Sequence, residues 1–351
     1  MKTLKQNLDA MAQNKFNVFH WHIVDDQSWP LQMEHFPNLT DAAYHPRLVY
    51  SQRDVAELVQ YARLRGIRVI PEIDSPGHSQ ALGKVFPNIL TPCYGTGGRG
   101  SADYPRFAAY EMLNPMNDYT YDVMREIIRE VNRVFPDDYI HLGMDEVYYD
   151  CWRSSPEIKD FMRKRNMSSV SQVEQHYVKR TLDNVKKLGA KYMIWQDPID
   201  NGVEAAPDTV VGVWKSGYAY SWQEYLITAA RNGYKIVLSA PWYLNYISYG
   251  QDWEKYYTVE PLDFPASAKD KELVIGGEAC MWGEYVDGTN AISRLWPRAS
   301  AVGERLWSAR NVKDVEEAKY RLDEHRCRML RRNLPVQPIL NGYCGGYDAD
   351  A

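Results

Sequence analysis

Tyr139-Ile140-His141-Leu142-Gly143-Met144-Asp145-Glu146-Val147 is the stretch whose reading decides the fold. A short apolar run bounded by polar residues predicts a buried strand. It ends in two adjacent carboxylates, Asp145 and Glu146. Upstream, Val123, Ile127, Ile128, Val131 and Val134 recur at helical spacing and predict a helix over Tyr121 to Phe135. Downstream, Ser171 with Glu174 predicts the capped start of another helix, which runs to Leu188-Gly189. The strand Tyr192 to Asp197 follows. Strands alternating with helices in this way pair in parallel.

The same alternation extends in both directions. A helix over Lys2 to Gln13 leads to a strand over Phe16 to Val24. Ser51 with Asp54 opens a helix that Gly66 closes, and Ile67 to Asp74 is the next strand. Beyond the opening stretch come strands over Thr209 to Trp214, Lys235 to Tyr243 and Leu273 to Trp282. A helix capped by Ser221 and Glu224 separates the first two of these. A helix broken near Pro297 and a charged helix from Val312 to Asn333 finish the chain, while Lys84 to Asp118 reads as an elaborated loop. The expected class is α/β, a TIM (β/α)8-type barrel counted at seven strands and so lacking its first. Residues 1–351 are expected to form that single barrel, incomplete at its N-terminus. No Gly-x-Gly-x-x-Gly turn follows a strand, which argues against a dinucleotide-binding fold.

Composition narrows the function. A net charge of -5 with acids and bases intermixed argues against a nucleic-acid partner. No apolar run reaches the length of a membrane span, and the N-terminus carries no signal-peptide core. The 26 Tyr and 11 Trp outnumber the 8 Phe, which suits rings that stack on a ligand while their polar edges hydrogen-bond. Five cysteines without a Cys-x-x-Cys pair argue against structural zinc; their odd count allows two disulfides and one thiol. Sequons stand at Asn38 and Asn166.

Polar and aromatic residues gather at the C-terminal ends of the strands: Asp25, Asp74 to His78, Asp145-Glu146, Trp195 to Asp197, Trp214, Trp242-Tyr243 and Trp282 to Glu284. That is the end at which a barrel builds its active site. Glycoside cleavage needs an acid for the leaving oxygen and a negative group or nucleophile facing the anomeric carbon. Two chain-adjacent carboxylates do not suit the retaining scheme that places them about 5 Å apart across the bond. They suit substrate assistance, with Glu146 as acid/base and Asp145 positioning a 2-acetamido group that attacks. An acidic strand end that caps a helix or binds an arginine is the structural alternative. His20-Trp21-His22 places two imidazoles on one strand face, and with His141 and Asp145 this admits a metal-dependent hydrolase as a further alternative.

At this point the chain resembles the β-N-acetylhexosaminidases of glycoside hydrolase family 20, and most closely the animal lysosomal-type subunits. The resemblance is carried by His20 to Gln27, Pro71 to His78, His141 to Glu146, Ser239 to Tyr243, Gly276 to Glu284 and Leu295 to Ala299. These motifs follow one another in the family's order over Met1 to Tyr343. The resemblance implies hydrolysis of terminal N-acetylhexosamine from glycans, without cofactor or metal. It implies Glu146 as acid/base, Asp145 as the residue that orients the acetamido group, and Tyr243 as a hydrogen-bond donor to its oxygen. Trp195, Trp214 and Trp282 match the aromatic box, and Asn245 matches a sugar contact. Asp25, His78 and Glu284 match the polar shell. Cys93 with Cys151, and Cys327 with Cys344, match the family's disulfides, leaving Cys280 as a thiol. A homo- or heterodimer and a lysosomal or secreted location are further implications.

Three departures from the family pattern stand out. The first strand with its sugar-gripping arginine and the N-terminal non-catalytic domain are expected to be absent, which makes an inactive or sugar-binding isoform the alternative. Met144 stands where the family carries glycine. Tyr246 stands where the subunit that accepts anionic sugars carries arginine, which implies neutral substrates. Because Glu146 must act protonated while Asp145 is ionised, an acidic optimum is expected.

Overall fold

A computed structural model describes residues 1–217 and 220–346. Seven parallel strands form the main sheet: β1 (Val18–Val24), β2 (Arg68–Ser75), β3 (Tyr139–Gly143), β4 (Lys191–Trp195), β5 (Val210–Val213), β6 (Lys235–Leu238) and β7 (Val274–Gly277). They are hydrogen-bonded in the order in which they occur in the chain. A doubly wound sheet reverses its order part-way; an unbroken order is that of a TIM-type barrel, here with seven strands among the described residues. The connecting helices are α1 (Lys2–Gln13), α2 (Gln52–Arg63), α3 (Asp118–Val134), α4 (Val170–Lys187), α5 (Trp222–Arg231), α6 (Arg298–Trp307) and α7 (Val315–Leu330). The chain falls into two compact units. One comprises Met1–Phe19, Gln60–Arg68 and Gly212–Ala351; the other comprises His20–Val59 and Val69–Val211.

In the second unit, β2 is buried along almost its whole length although it carries Glu72 and Asp74. Its register pairs Glu72 with His141 and Ser75 with Gly143 on β3. Parallel partners project to the same face, so Glu72 and His141 become neighbours. β3 stops at Gly143, four residues short of the expected Val147. Gly143 has φ +66°, and a Cβ there would stand 1.7 Å from Asp74 Oδ1, so only glycine fits. Helix α3 begins at Asp118, three residues earlier than expected, because the Asn117 side chain caps it by accepting from the Tyr119 amide. Val123, Met124, Ile127, Ile128 and Val131 are its buried stripe, each worth about 1.5–3 kcal/mol of burial. The box that starts α4 is Ser169 with Gln172 rather than Ser171 with Glu174. Glu174 is buried and accepts from Asn201.

The stretch from Lys84 to Asp118 is more ordered than a loop. Leu90–Pro92 pairs antiparallel with Tyr110–Leu113, and Tyr94–Gly95 pairs with Gly98–Arg99. The Cys93–Cys151 disulfide anchors it in a cluster with Phe107, Met112, Trp152, Ile158 and Val173.

In the first unit, α1 buries Leu8, Ala10 and Met11. Trp296 packs edge-to-face with Phe16 and donates to Asn7 Oδ1 at 2.9 Å. The expected break near Pro297 separates a short helix, Ala291–Leu295, from α6. Asp314 caps α7, whose end is tied back by the Cys327–Cys344 disulfide. Cys280 is a buried thiol.

Candidate active site

The opening stretch becomes a turn after β3, not a strand end. Gly143 (φ +66°), Met144 (φ +72°) and Glu146 (φ +48°) are left-handed. Met144 is fully buried despite this conformation, and its amide donates to Asp74 Oδ1 at 3.1 Å. The Glu146 amide donates to Asp197 Oδ1 at 3.3 Å. The neighbouring turn lies close, since a Cβ on Gly77 would come within 2.9 Å of the Asp145 carbonyl oxygen. Two turns in close approach thereby aim the Asp145 and Glu146 side chains.

His78, itself at φ +51°, is the hub. Its Nδ1 meets Asp25 Oδ1 at 3.1 Å, and its Nε2 stands 3.3 Å from Glu146 Oε2 and 3.6 Å from Asp145 Oδ2. The two carboxylates differ in exposure: the Asp145 side chain is 11% exposed and that of Glu146 is 54% exposed. Burial, reinforced by Glu72 and Asp197, pushes Asp145 up to about 7 against the pull of His78. Asp74 pairs with it, and burial beside Asp145 raises Asp74 well above the ordinary carboxylate range. Asp74 therefore keeps its proton and donates a hydrogen bond to Asp145. This arrangement opposes the expected acidic optimum, because in the chain without substrate the buried Asp145 takes up a proton as pH falls through about 7.

Behind His78 lies a cluster that composition alone does not reveal. The Glu72 carboxylate is fully buried. Its Oε1 accepts from Trp195 Nε1 at 2.9 Å and faces His141 Nδ1 at 3.2 Å. Its Oε2 faces His20 Nε2 at 2.8 Å and His22 Nδ1 at 2.9 Å. His141 Nδ1 also lies 3.1 Å from the Gly143 amide, so its proton decides which neighbour it bonds. The other nitrogen of His22 reaches Asp25 Oδ2 at 3.0 Å. His20, His22 and His141 do gather, as the metal alternative requires, but they close on a carboxylate at hydrogen-bond distance, and Asp145 sits with Asp74 and His78 instead. Burial opposes charge on Glu72, but the three imidazoles overcome it and hold Glu72 well below the ordinary range.

The first unit carries the aromatic candidates. Trp214 and Tyr243 are stacked at 6.5 Å between centroids, and Tyr243 stacks on the exposed Tyr246 at 5.5 Å. Tyr243 bridges to Cys280 in parallel. Asn245 donates to Glu284 Oε2 at 3.4 Å, and Trp282 is half-buried on the segment after β7. Arg298, 1% exposed, underlies this loop. It donates to Asp252 Oδ1 at 2.9 Å, to the Leu244 carbonyl at 2.9 Å and to the Tyr256 hydroxyl at 3.0 Å.

The structure thus brings Asp25, His78, Asp145 and Glu146 together, with Trp195 reached through Glu72. In the other unit it brings Trp214, Tyr243, Asn245 and Glu284 together. Glu72, Asp74, Asp197 and Arg298 were not assigned roles from sequence. The signal for Glu72 and Asp74 was present: two acids spaced by two among the apolar residues Val69, Ile70, Pro71 and Ile73.

Comparison with known proteins follows the same residues. Residues 1–310 match glycosyl hydrolase family 20, catalytic domain. The chain is 48% identical over 346 residues to the human beta-hexosaminidase subunit beta, covering 98% of this chain and 60% of that protein. It is 46% identical to the Bos taurus beta-hexosaminidase subunit alpha, covering 98% of this chain and 64% of that protein. The chain therefore spans less than two thirds of the length of these relatives. Among solved structures, the Flavobacterium johnsoniae chitobiase superposes with a TM-score of 0.84 at 32% identity, covering 95% of this chain and 50% of that one.

Proposed function

The chain belongs to glycosyl hydrolase family 20, and on that premise we propose that it hydrolyses terminal, non-reducing β-linked N-acetylhexosamine by substrate-assisted retention. One observation carries the mechanism: Asp145 and Glu146 both lie within 3.6 Å of the same nitrogen of His78. Neighbouring carboxylates that converge on one imidazole support roles side by side over a protein nucleophile and acid on opposite faces of the bond. The nucleophile is then the substrate's acetamido oxygen.

The more exposed Glu146 delivers its proton to the glycosidic oxygen, and then accepts one from the water that opens the oxazolinium intermediate. The departing group lies in a cavity of about 340 Å³ beside it, lined by Asp26, His78, Tyr104, Glu111, Glu146 and Tyr148. The buried Asp145 receives the acetamido N–H; that donor favours its ionised form, and the carboxylate then stabilises the positive charge as the oxazolinium forms. Tyr243 hydrogen-bonds the acetamido oxygen. Trp195, Trp214 and Trp282 are the apolar walls for the ring and its methyl group. Asn245 and Glu284 take hydroxyls. The uncharged Tyr246 favours neutral substrates. Residues 1–351 are read as the catalytic barrel region. Asn38 and Asn166 are both exposed, which supports glycosylation. The two disulfides support a secreted or lysosomal location, and dimerisation follows the relatives' description as subunits. Among the described residues no helix is long and apolar enough to cross a membrane.

Glu146→Gln is expected to lower turnover of an N-acetylglucosaminide with a poor leaving group by about 10²–10⁴-fold. Near-native rates in that variant would overturn the assignment of the acid. A thiazoline mimic of the oxazoline should inhibit competitively, and indifference to it would exclude neighbouring-group participation. A wild-type chain that binds the sugar but does not turn it over would establish the sugar-binding alternative.

A further inference from the structure

Four of the polar groups described above form one line through the second unit, and it ends on a fifth that bears the reactive proton. Both ring nitrogens of His22 face carboxylates: Nδ1 faces Glu72 Oε2 at 2.9 Å and Nε2 faces Asp25 Oδ2 at 3.0 Å. A ring clasped in this way hydrogen-bonds on both sides only as the imidazolium. The other oxygen of Asp25 receives the Asp26 amide at 2.6 Å and His78 Nδ1 at 3.1 Å. His78 then presents Nε2 to Glu146. The order is Glu72, His22, Asp25, His78, Glu146, with acid and imidazole alternating at every step. The inner end is the fully buried carboxylate that His20, His141 and Trp195 also surround.

We propose that His22 and Glu72 are positioning residues for the proton donor, acting through Asp25 and His78. This rests on the reading of Glu146 as the acid. An Asp–His pair beside a carboxylic acid can swing as a unit unless its far end is fixed. Here the second oxygen of Asp25 is held by His22, and His22 is held by a carboxylate with no freedom to turn. The alternation of charge keeps every neighbour paired: His22 faces Glu72 and Asp25, while His78 faces Asp25, Asp145 and Glu146 with Asp74 behind. Burial disfavours the imidazolium of His22, yet Glu72 and Asp25 together raise it to about 9, consistent with a ring charged throughout the working range.

Leaving-group dependence tests this. A 2,4-dinitrophenyl N-acetylglucosaminide expels its leaving group without protonation, whereas chitobiose requires the acid. His22→Gln and Glu72→Gln should lower kcat/KM for chitobiose by about 10–100-fold, within the range general-acid contributions span, and change the dinitrophenyl substrate by no more than about threefold. Equal losses on both substrates in a folded His22→Gln chain would show that the cluster only supports the fold, and would overturn the proposal. Glu146→Gln is the control. If it too fails to discriminate between the substrates, the acid assignment fails, and that outcome is distinct from the first. Glu72→Gln perturbs a buried site, so the wild-type chain supplies an independent measurement. With 15N-labelled histidine, His22 should remain doubly protonated at pH 8. A neutral His22 at that pH would overturn the proposal without any variant.

Discussion

Each unit holds a buried charged group beside its candidate residues, and the two charges are opposite. In the acid-bearing unit the group is the Glu72 carboxylate, contacted by three imidazoles and an indole N–H. In the aromatic-bearing unit it is the Arg298 guanidinium, contacted by the Asp252 carboxylate, the carbonyls of Leu244 and Arg294, and the Tyr256 hydroxyl. The partners of Glu72 are mostly imidazoles, of which His22, against its burial, is raised to about 9 by Glu72 and Asp25; those of Arg298 are two carbonyls, a hydroxyl and a carboxylate that, against its burial, Arg298 holds below its ordinary range. The Glu72 centre lies behind the residues proposed to move protons. The other is a buried ion pair, and it lies beneath the loop proposed to present Tyr243 and Asn245. The difference teaches that a buried charge can serve either as scaffold or as chemistry, and that its partners decide which.

Arg298→Met is the strongest way to test the fixed centre. Removing one member of a buried ion pair leaves Asp252 uncompensated, at a cost of about 3–5 kcal/mol. The Arg298 side chain is 1% exposed and that of Asp252 6%, so solvent cannot replace the lost donors. Chemical denaturation should show the loss, and adding Asp252→Leu should recover part of it. The pH dependence of kcat/KM in whatever folded Arg298→Met remains should match wild type. A shifted profile would mean that Arg298 belongs to the proton-handling machinery and that the contrast between the units is false.

The two centres also differ in how far the sequence reveals them. The unbroken strand order was legible, because β-branched runs and capped helices alternate from Lys2 to the last strand. The pairing of Cys93 with Cys151 and of Cys327 with Cys344 was legible only through family resemblance. Strand ends were not legible: β3 stops at Gly143, where the backbone turns left-handed and only glycine fits against Asp74, a long-range constraint that local propensity does not encode. Glu72 stood in a quoted motif, yet its role needed the register that sets it opposite His141. Arg298 likewise looks like an ordinary helical arginine until Asp252, forty-six residues away, is placed beside it.

Backbone conformation separates the candidate residues of the two units. Tyr243 sits at φ -85°, whereas Met144 is held at φ +72°. The left-handed conformation costs a non-glycine residue about 1–2 kcal/mol. Deleting a buried methionine side chain costs about 2–5 kcal/mol. Packing should therefore win: Met144→Gly is expected to lose about 1–3 kcal/mol net in chemical denaturation, although glycine suits the backbone better. A more stable Met144→Gly chain would mean that the acid-bearing turn stores more strain than its packing returns.

The smallest effect is expected at Asp74, and it resolves where the shared proton sits. In the proposed mechanism Asp145 acts ionised, so kcat/KM is expected to fall on the acid side as Asp145 takes up a proton, near pH 7 in the chain without substrate. The groups that face Asp145 are His78, which favours its ionisation, Glu72 and Asp197, which oppose it, and Asp74, which donates a hydrogen bond to it. If Asp74 is neutral while Asp145 titrates, Asp74→Asn replaces a neutral donor with another and leaves the acid limb nearly in place. Asp74→Leu removes the donor, raises Asp145 further and moves the limb to higher pH by about one unit. The opposite result, a limb displaced to lower pH in Asp74→Asn, would mean that Asp74 carries charge as Asp145 titrates. The proton of the pair would then belong to Asp145, and the acid-bearing unit would hold one more fixed charge than its geometry assigns.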